Sequence, residues 1–551
     1  MAKYTIGIDF GSLSGRTVLT DVASGREIAA ATLDYPHAVM DTHLAKGNVP
    51  LPADYALQDP ADYLLVLEKT VPQVLADGGV SPADVVGIAL DFTCCTLLPV
   101  DEDGTPLCFD PAFEQEPLAY TLLWKHHAAQ KYADRFNKIA RERGEKFLDL
   151  VGGIISSEWM FPKIYQVLEE APAVYERARY FIEAGDWVAW MLCGKQHRGY
   201  QFAACKSHYV KGVGYPSEAF FAAVDPRLTH VVRDKLTDPD CMLGDKIGEL
   251  TPEMAARIGL LPGTAVGAPA PDAHVAALTL GVKREGDMFG VLGTSGCFFL
   301  VGNEGKTVPG ICGTVPDGVL PGLYGYESGL CCFGDHFAFA AEKLTSAAYQ
   351  KEAEERGMPM IKLLIEKAAK KKPGESGVIA LNWFNGNRST LVDSELSGMF
   401  LGMTLTTAPE DLMRALIEAT AFGWRNIIET FENCGVPVKN IIASGGIARK
   451  DPFSMQLYAD VLGKSITITE TAQAPAASAS IGAAVAAGCY ADLIAASDAM
   501  ASKKDRVYVP IAENTAVYDK LYAEYKILHD YFGRGGNDVM RRLRRLAAEQ
   551  K

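Results

Sequence analysis

Short apolar runs that end in an acid or a glycine turn, separated by longer stretches of helical period, set the pattern of the chain. Residues 4–9 form an apolar run closing on Asp9, the turn Gly11-Ser12-Leu13-Ser14-Gly15 follows, and 16–21 and 27–33 read as a second and third strand. Hairpins in succession, followed by helices, predict a mixed sheet rather than an all-parallel one. Asp59-Pro60 supplies a cap and a first-turn proline. Leu64, Leu67, Val71 and Leu75 then recur on one helix face until Gly78-Gly79 stops it. Ser81-Pro82 opens a short second helix. Residues 85–90 form a buried-type strand ending at Asp91, with Thr93-Cys94-Cys95-Thr96 just beyond its tip. Ligands of open α/β sheets gather at such strand ends.

Residues 117–183 are mainly helical in pattern, with Trp124, Trp159 and, just beyond, Trp187 as packing anchors. The segment 198–215, which carries Lys206, is poor in helix signals and reads as a loop or short strands. Pro262-Gly263 marks a turn near a domain boundary placed just before Gly267. After Asp272 the opening plan returns: a strand over 288–292, the turn Gly293-Thr294-Ser295-Gly296, a return strand over 297–301 and a third over 323–326. This echo in order and polarity predicts an α/β chain of two duplicated domains, 1–266 and 267–551, each with a mixed central sheet. Thr407 and Pro409 introduce a long apolar-periodic helix over 412–430. Residues 441–444 then form a buried strand, Gly445-Gly446 a tight turn and 451–462 a helix. The alanine-rich helix 478–487 is built to pack very closely. From 517 on the chain is helical, broken at 533–536.

At 551 residues the chain exceeds one ordinary core, which agrees with two domains. A formal charge of −15 excludes the basic field that would draw in nucleic acid or an acidic membrane. An anionic ligand must therefore be held by local donors and a metal ion. The basic run Arg541-Arg542-Leu543-Arg544-Arg545 reads as a solvated helix face. No apolar run is long enough to span a bilayer, and the first residues enter a strand pattern with no signal-peptide block. The 12 cysteines show neither C-x-x-C nor His/Cys zinc spacing, which suits a reducing cytoplasm.

Gly11-Ser12, Gly293-Thr294-Ser295 and Gly445-Gly446 each follow an apolar strand. A hairpin alone would select Gly and Ser for their backbone tolerance. Three such turns spread over both halves also offer backbone N–H groups and hydroxyls to phosphates. None fits the Walker A or the G-x-G-x-x-G pattern. Asp272, at a helix start, either caps that helix or accepts a proton, and His274 beside it reads as a packed histidine. Asp9 reads equally as a turn cap or as an acid facing a cation. Arg16 reads as a surface strand residue or as positive charge near phosphates.

Ile8-Asp9-Phe10-Gly11-Ser12 with Arg16, then Asp272, then Gly293-Thr294-Ser295-Gly296, then Ser444-Gly445-Gly446-Ile447-Ala448, resemble the successive signatures of the FGGY carbohydrate kinases. These belong to the actin-like ATPase superfamily, and the similarity runs from Tyr4 to about Tyr490. Asp91-Phe92-Thr93-Cys94-Cys95-Thr96, Glu158-Trp159-Met160-Phe161-Pro162-Lys163 and Val308-Pro309-Gly310-Ile311-Cys312-Gly313 are most similar to the members that act on L-ribulose. The resemblance implies two actin-like, ribonuclease-H-like domains with a cleft between them, sugar on the first and ATP on the second, the phosphate turns facing each other. It implies transfer of the ATP γ-phosphoryl group to the 5-hydroxyl of L-ribulose, as in L-arabinose breakdown. Asp272 would be the catalytic base and Asp9 would hold Mg2+ through water. Gly11, Ser12, Arg16, Gly293, Thr294, Ser295, Gly445, Gly446 and Ala448 would surround ATP. The Cys94 backbone, Lys206, Asp272 and Glu327 would surround the sugar, although an isolated Lys or Glu is ordinarily a solvated surface residue. Two alternatives stay open: a kinase for another pentulose or pentitol such as D-ribulose, D-xylulose or ribitol, and a nucleotide-driven conformational protein. The expected partners are a small sugar and ATP, with no nucleic acid and no membrane, and with room for a homodimer.

Overall fold

The computed structural model describes residues 2–471 and 473–550. The chain forms two compact units. The first comprises the described residues of Met1–Lys283, Val315–Gly325 and Gln473–Ser502, the second those of Arg284–Thr314, Tyr326–Ala472 and Lys503–Lys551.

In the first unit the sheet runs in the order Glu27–Asp34, Ser14–Asp21, Tyr4–Phe10, Val85–Phe92, Ala265–Gly267, Lys246–Glu249, with Ala270–Pro271 added beside the end of Val85–Phe92. The opening hairpins are antiparallel, the next two steps are parallel, and the last edge is antiparallel. The parallel register sets Asp91 opposite Asp9 on one side and opposite Ala270 on the other. The second sheet runs in the order Gly313–Pro316, Tyr324–Leu330, Gly296–Gly302, Asp287–Leu292, Asn440–Ser444, Ile466–Thr469, Lys504–Tyr508. Here again an antiparallel hairpin is followed by two parallel steps and an antiparallel edge. The duplication and the mixed sheets expected from the sequence are both present. The two sheets differ in the antiparallel edge strand, which precedes its neighbour in the chain in the first unit and follows it in the second.

The helix boundaries follow their chemistry. Helix Pro60–Gly78 is capped by Asp59, which accepts from the Ala61 amide, and it ends on Gly79 at φ 62°, in the left-handed region. The long helix Pro409–Asn433 is secured by Asp411, whose carboxylate accepts from the Ala408 amide at 2.9 Å. The segment read as loop or short strands departs from that expectation, because Tyr200–Lys206 is a helix. All seven of its residues are buried. A helix with no solvated face leaves no 3.6-residue alternation to read.

The alanine-rich helix is Ala474–Ala486, and it lies on the strands Tyr4–Phe10, Val85–Phe92 and Ala265–Gly267. A Cβ on Gly7 would stand 1.8 Å from the Ala476 carbonyl oxygen, and one on Gly87 would stand 2.6 Å from that of Ala483. Helix backbone therefore rests on strand backbone, with Thr5 and Ser480 hydroxyls joined at 2.8 Å in the contact. The same strands carry a buried aromatic cluster, Phe10 stacked on Phe92 at 5.1 Å and both edge-on to Tyr63. No helix among the described residues is long and apolar enough to cross a membrane.

Gly7→Ala is expected to cost about 3 kcal/mol or more, the upper end for overpacking, because its methyl meets backbone instead of a movable side chain. Equilibrium unfolding of the variant tests this. A stability equal to the parent's would mean that the helix can lift from the strand without loss.

Candidate active site

Three acids stand at the ends of neighbouring strands in the first unit. Asp9 closes Tyr4–Phe10, Asp91 closes Val85–Phe92, and Asp272 follows directly on Ala270–Pro271. Asp9 is buried, and Arg16, its partner across the hairpin, places Nη1 3.3 Å from its carboxylate. Burial lifts the Asp9 pKa and the Arg16 charge pulls it back. Asp91 is fully buried, and burial together with the Asp9 and Asp272 charges holds its pKa well above the usual carboxylate range. One proton on Asp91 relieves the repulsion among acids set so close. Asp272 is half-buried at the start of the single-turn helix Asp272–Val275, and its Oδ1 accepts from the Ala273 amide at 2.7 Å. The cap position itself is Pro271, so Asp272 is the first helical residue and bonds the next amide along instead of capping from outside the helix. Among the described residues no three His, Cys, Asp or Glu side chains group as ligands of one metal ion.

The turn Thr93-Cys94-Cys95-Thr96 lies beyond Asp91, with Cys94 half-buried and Cys95 buried at φ 63°. Lys206 ends the buried helix Tyr200–Lys206, its ammonium 5.7 Å from the centroid of the Trp159 ring. The preceding Cys205 lies 3.6 Å from His274 Nε2, which ties this helix to the segment bearing Asp272. His274 is a packed histidine, as expected. In the turn after Tyr4–Phe10 the Gly11 amide donates to Ser14 O, and the Ser12 hydroxyl accepts from the Trp124 indole at 2.9 Å. Trp124 thus packs at the edge of a core cluster and also holds this turn.

In the second unit Gly293 donates to Ser295 O, and the Thr294 carbonyl accepts from the Phe333 and Gly334 amides. Gly445 is at φ 97°, and a Cβ there would meet Leu292 O at 2.5 Å, so glycine is demanded from inside the fold. Gly446, the first residue of the short helix Gly446–Lys450, faces open space instead. Gly293, Thr294 and Gly446 line one cavity of about 890 Å³, together with Phe337, Ile447 and Phe453. Its apolar walls and glycine-rich end suit a flat ring with a polar tail. Ala448 is buried and Ser295 half-buried in the same region of the chain. Glu327 is half-buried on strand Tyr324–Leu330, and its carbonyl accepts from the Cys312 amide at 2.8 Å.

Residues 4–279 match the N-terminal domain of the FGGY family of carbohydrate kinases, and residues 288–491 match its C-terminal domain. The chain belongs to the FGGY family of carbohydrate kinases. ATP is accordingly its phosphoryl donor and a sugar its acceptor. The chain is 50% identical over 538 residues to a ribulokinase of Bacillus licheniformis, covering 97% of each protein. It is 49% identical over 546 residues to a ribulokinase of Geobacillus thermodenitrificans, covering 98% of this chain and 97% of the relative. The fold matches a xylulose kinase from Rhodospirillum rubrum at a TM-score of 0.78 and 21% identity, over 96% of this chain and 98% of that one. It matches a Plasmodium falciparum glycerol kinase solved with ADP at 0.74 and 14%, over 96% and 98%.

Asp91 is a site residue that sequence reasoning missed, although an acid near the end of an almost wholly buried strand is a signal. Phe337 and Phe453 carry no signal, since an apolar residue lining a cavity looks like core, and Ile447 is marked only by its place in the Gly445-Gly446 signature. For this FGGY kinase, Gly446→Phe is expected to fill the second unit's cavity and weaken ATP binding by about tenfold or more, equivalent to about 1.4 kcal/mol. The melting temperature should stay near the parent's, because no atom lies within 4 Å of a Cβ at this position. Calorimetric titration with ATP decides it, and an unchanged affinity would place the nucleotide elsewhere.

Proposed function

We propose that this kinase phosphorylates L-ribulose at its 5-hydroxyl, giving L-ribulose 5-phosphate and ADP. The observation that carries the reading is identity of about half the residues to relatives named ribulokinase, over nearly the whole of both proteins. The site chemistry supports it. A sugar hydroxyl is a poor nucleophile, and a half-buried carboxylate at a strand end can accept its proton as the bond to phosphorus forms. We assign that role to Asp272. Holding the Ala273 amide fixes one carboxylate oxygen and so orients the other. Lys206, the Cys94 backbone and Glu327 are assigned to the sugar hydroxyls.

Gly11, Ser12, Arg16, Gly293, Thr294, Ser295, Gly445, Gly446 and Ala448 are assigned to ATP, the first six toward its phosphates and Gly445-Gly446 toward its adenine. Asp9 would hold Mg2+ through water. Asp9 stands opposite Asp91, and a site with so few protein ligands fits an ion that keeps most of its waters and relies on substrate phosphates. When bound, Mg2+ neutralises negative charge on the phosphates. Arg16, beside Asp9, adds positive charge where the protein as a whole is acidic. We assign 1–266 to the sugar and the first phosphate turn and 267–551 to ATP and the base, although Asp272 itself lies in the first compact unit. A reducing cytoplasm is the proposed compartment, since none of the 12 cysteines forms a disulfide.

An ADP-release assay across L-ribulose, D-ribulose, D-xylulose, ribitol and glycerol tests the substrate. L-ribulose should give the highest kcat/KM, and a higher value for any other sugar would displace it. ADP release that needs no sugar would instead favour a nucleotide-driven conformational protein. Asp272→Asn should retain ATP binding and lose about 10³-fold in turnover. A kcat near the parent's would remove Asp272 as the base.

A further inference from the structure

Cys95 holds a left-handed backbone, φ 63°, that a residue with a side chain adopts only when its surroundings impose it. Here they do so through two buried ionisable groups on other elements. Lys163, on helix Met160–Glu170, is fully buried, and its ammonium donates to Cys95 O at 2.7 Å, Leu123 O at 2.7 Å and Leu122 O at 3.3 Å. Those three bonds use all three of its N–H groups. Burial lowers its pKa to about 8, so it remains an ammonium at neutral pH. On the other side of the turn the Thr96 amide donates to the fully buried Glu183 carboxylate at 3.0 Å. The Thr93 and Thr96 hydroxyls close the turn at 2.7 Å.

The same ammonium reaches a second wall of the site. Leu123 is followed by Trp124, whose indole holds Ser12. Four residues before Lys163, Trp159 lies beneath the Lys206 ammonium. One buried lysine thus joins the turn carrying Cys94, the segment behind Ser12 and the helix start under Lys206. Nothing in the phosphoryl-transfer chemistry requires a lysine there, and an apolar residue of that length would fill the space.

We propose that Lys163 is a positioning residue for sugar recognition: by holding the Cys95 carbonyl it fixes the backbone of Cys94 toward the substrate, and it sets affinity and selectivity for the sugar without touching it. This rests on the assignment of Cys94 to the sugar. Lys163→Met, of similar length, leaves three buried carbonyls without their donor. In the full-length enzyme it should raise KM for the sugar about tenfold or more and narrow the differences among L-ribulose, D-ribulose and ribitol, with KM for ATP within about twofold. If that variant does not fold, Lys163→Gln serves. Its amide keeps donors for at most two of the three carbonyls, and it should raise the sugar KM in the same selective manner.

An unchanged sugar KM and sugar ranking in either folded variant overturns the proposal. So does a rise in the ATP KM equal to that for the sugar, which is the mark of a merely structural lysine. A parent enzyme that prefers another polyol overturns only the substrate assignment, and the selective rise in KM must then appear for that polyol. A parent that phosphorylates no polyol overturns both.

Discussion

Backbone-on-backbone contact between Ala474–Ala486 and the first sheet is the constraint on which the site depends. It is possible only because Gly7 and Gly87 present no side chain and the helix answers with alanine and serine. Gly7 precedes Asp9 by two residues and Gly87 precedes Asp91 by four, so by the two-residue period of a strand the acids stand on the face the helix covers. The segment that clamps the strands lies more than 380 residues after them in the chain. Contacts of that separation are costly to form and, once formed, hold the carboxyl-bearing strand ends at fixed height.

Fixing acids side by side creates an electrostatic problem that the surroundings answer in different ways. Arg16 faces Asp9 across the hairpin, and at Asp91 burial and two acid neighbours all disfavour the charged form. Asp272 stands a strand farther on, half-buried, with a helix amide on one oxygen. Carboxyls drawn from three parts of the chain thus meet three environments, which separates roles that the residue type alone would leave identical.

Much of this was legible in the sequence, because the strands advertise themselves. Each site strand is an apolar run closed by an acid or glycine, and the repeat of strand, glycine turn and strand in the second half disclosed the duplication before any coordinates. Caps such as Asp59 and Gly79 marked helix ends for the same local reason. Legibility fails where burial is complete on every side. Tyr200–Lys206 shows no amphipathic period because it has no wet face. Asp91 looked like a strand terminus, and only its register opposite Asp9 reveals a buried acid pair. Phe337, Ile447 and Phe453, from three separate segments, become a cavity wall only through the fold.

The two kinds of turn make the sharper comparison. At Gly445 the left-handed backbone is intrinsic to the residue, and a Cβ is excluded by Leu292 O. Such a turn needs no support from neighbours. At Cys95 a positive φ is held from outside, by the buried side chains of Lys163 and Glu183. A turn held in that way can be reshaped by changing a residue that never meets the ligand. Glycine turns therefore suit the part of the reaction common to every member of the family, and a tethered turn suits the part that must tell one sugar from another.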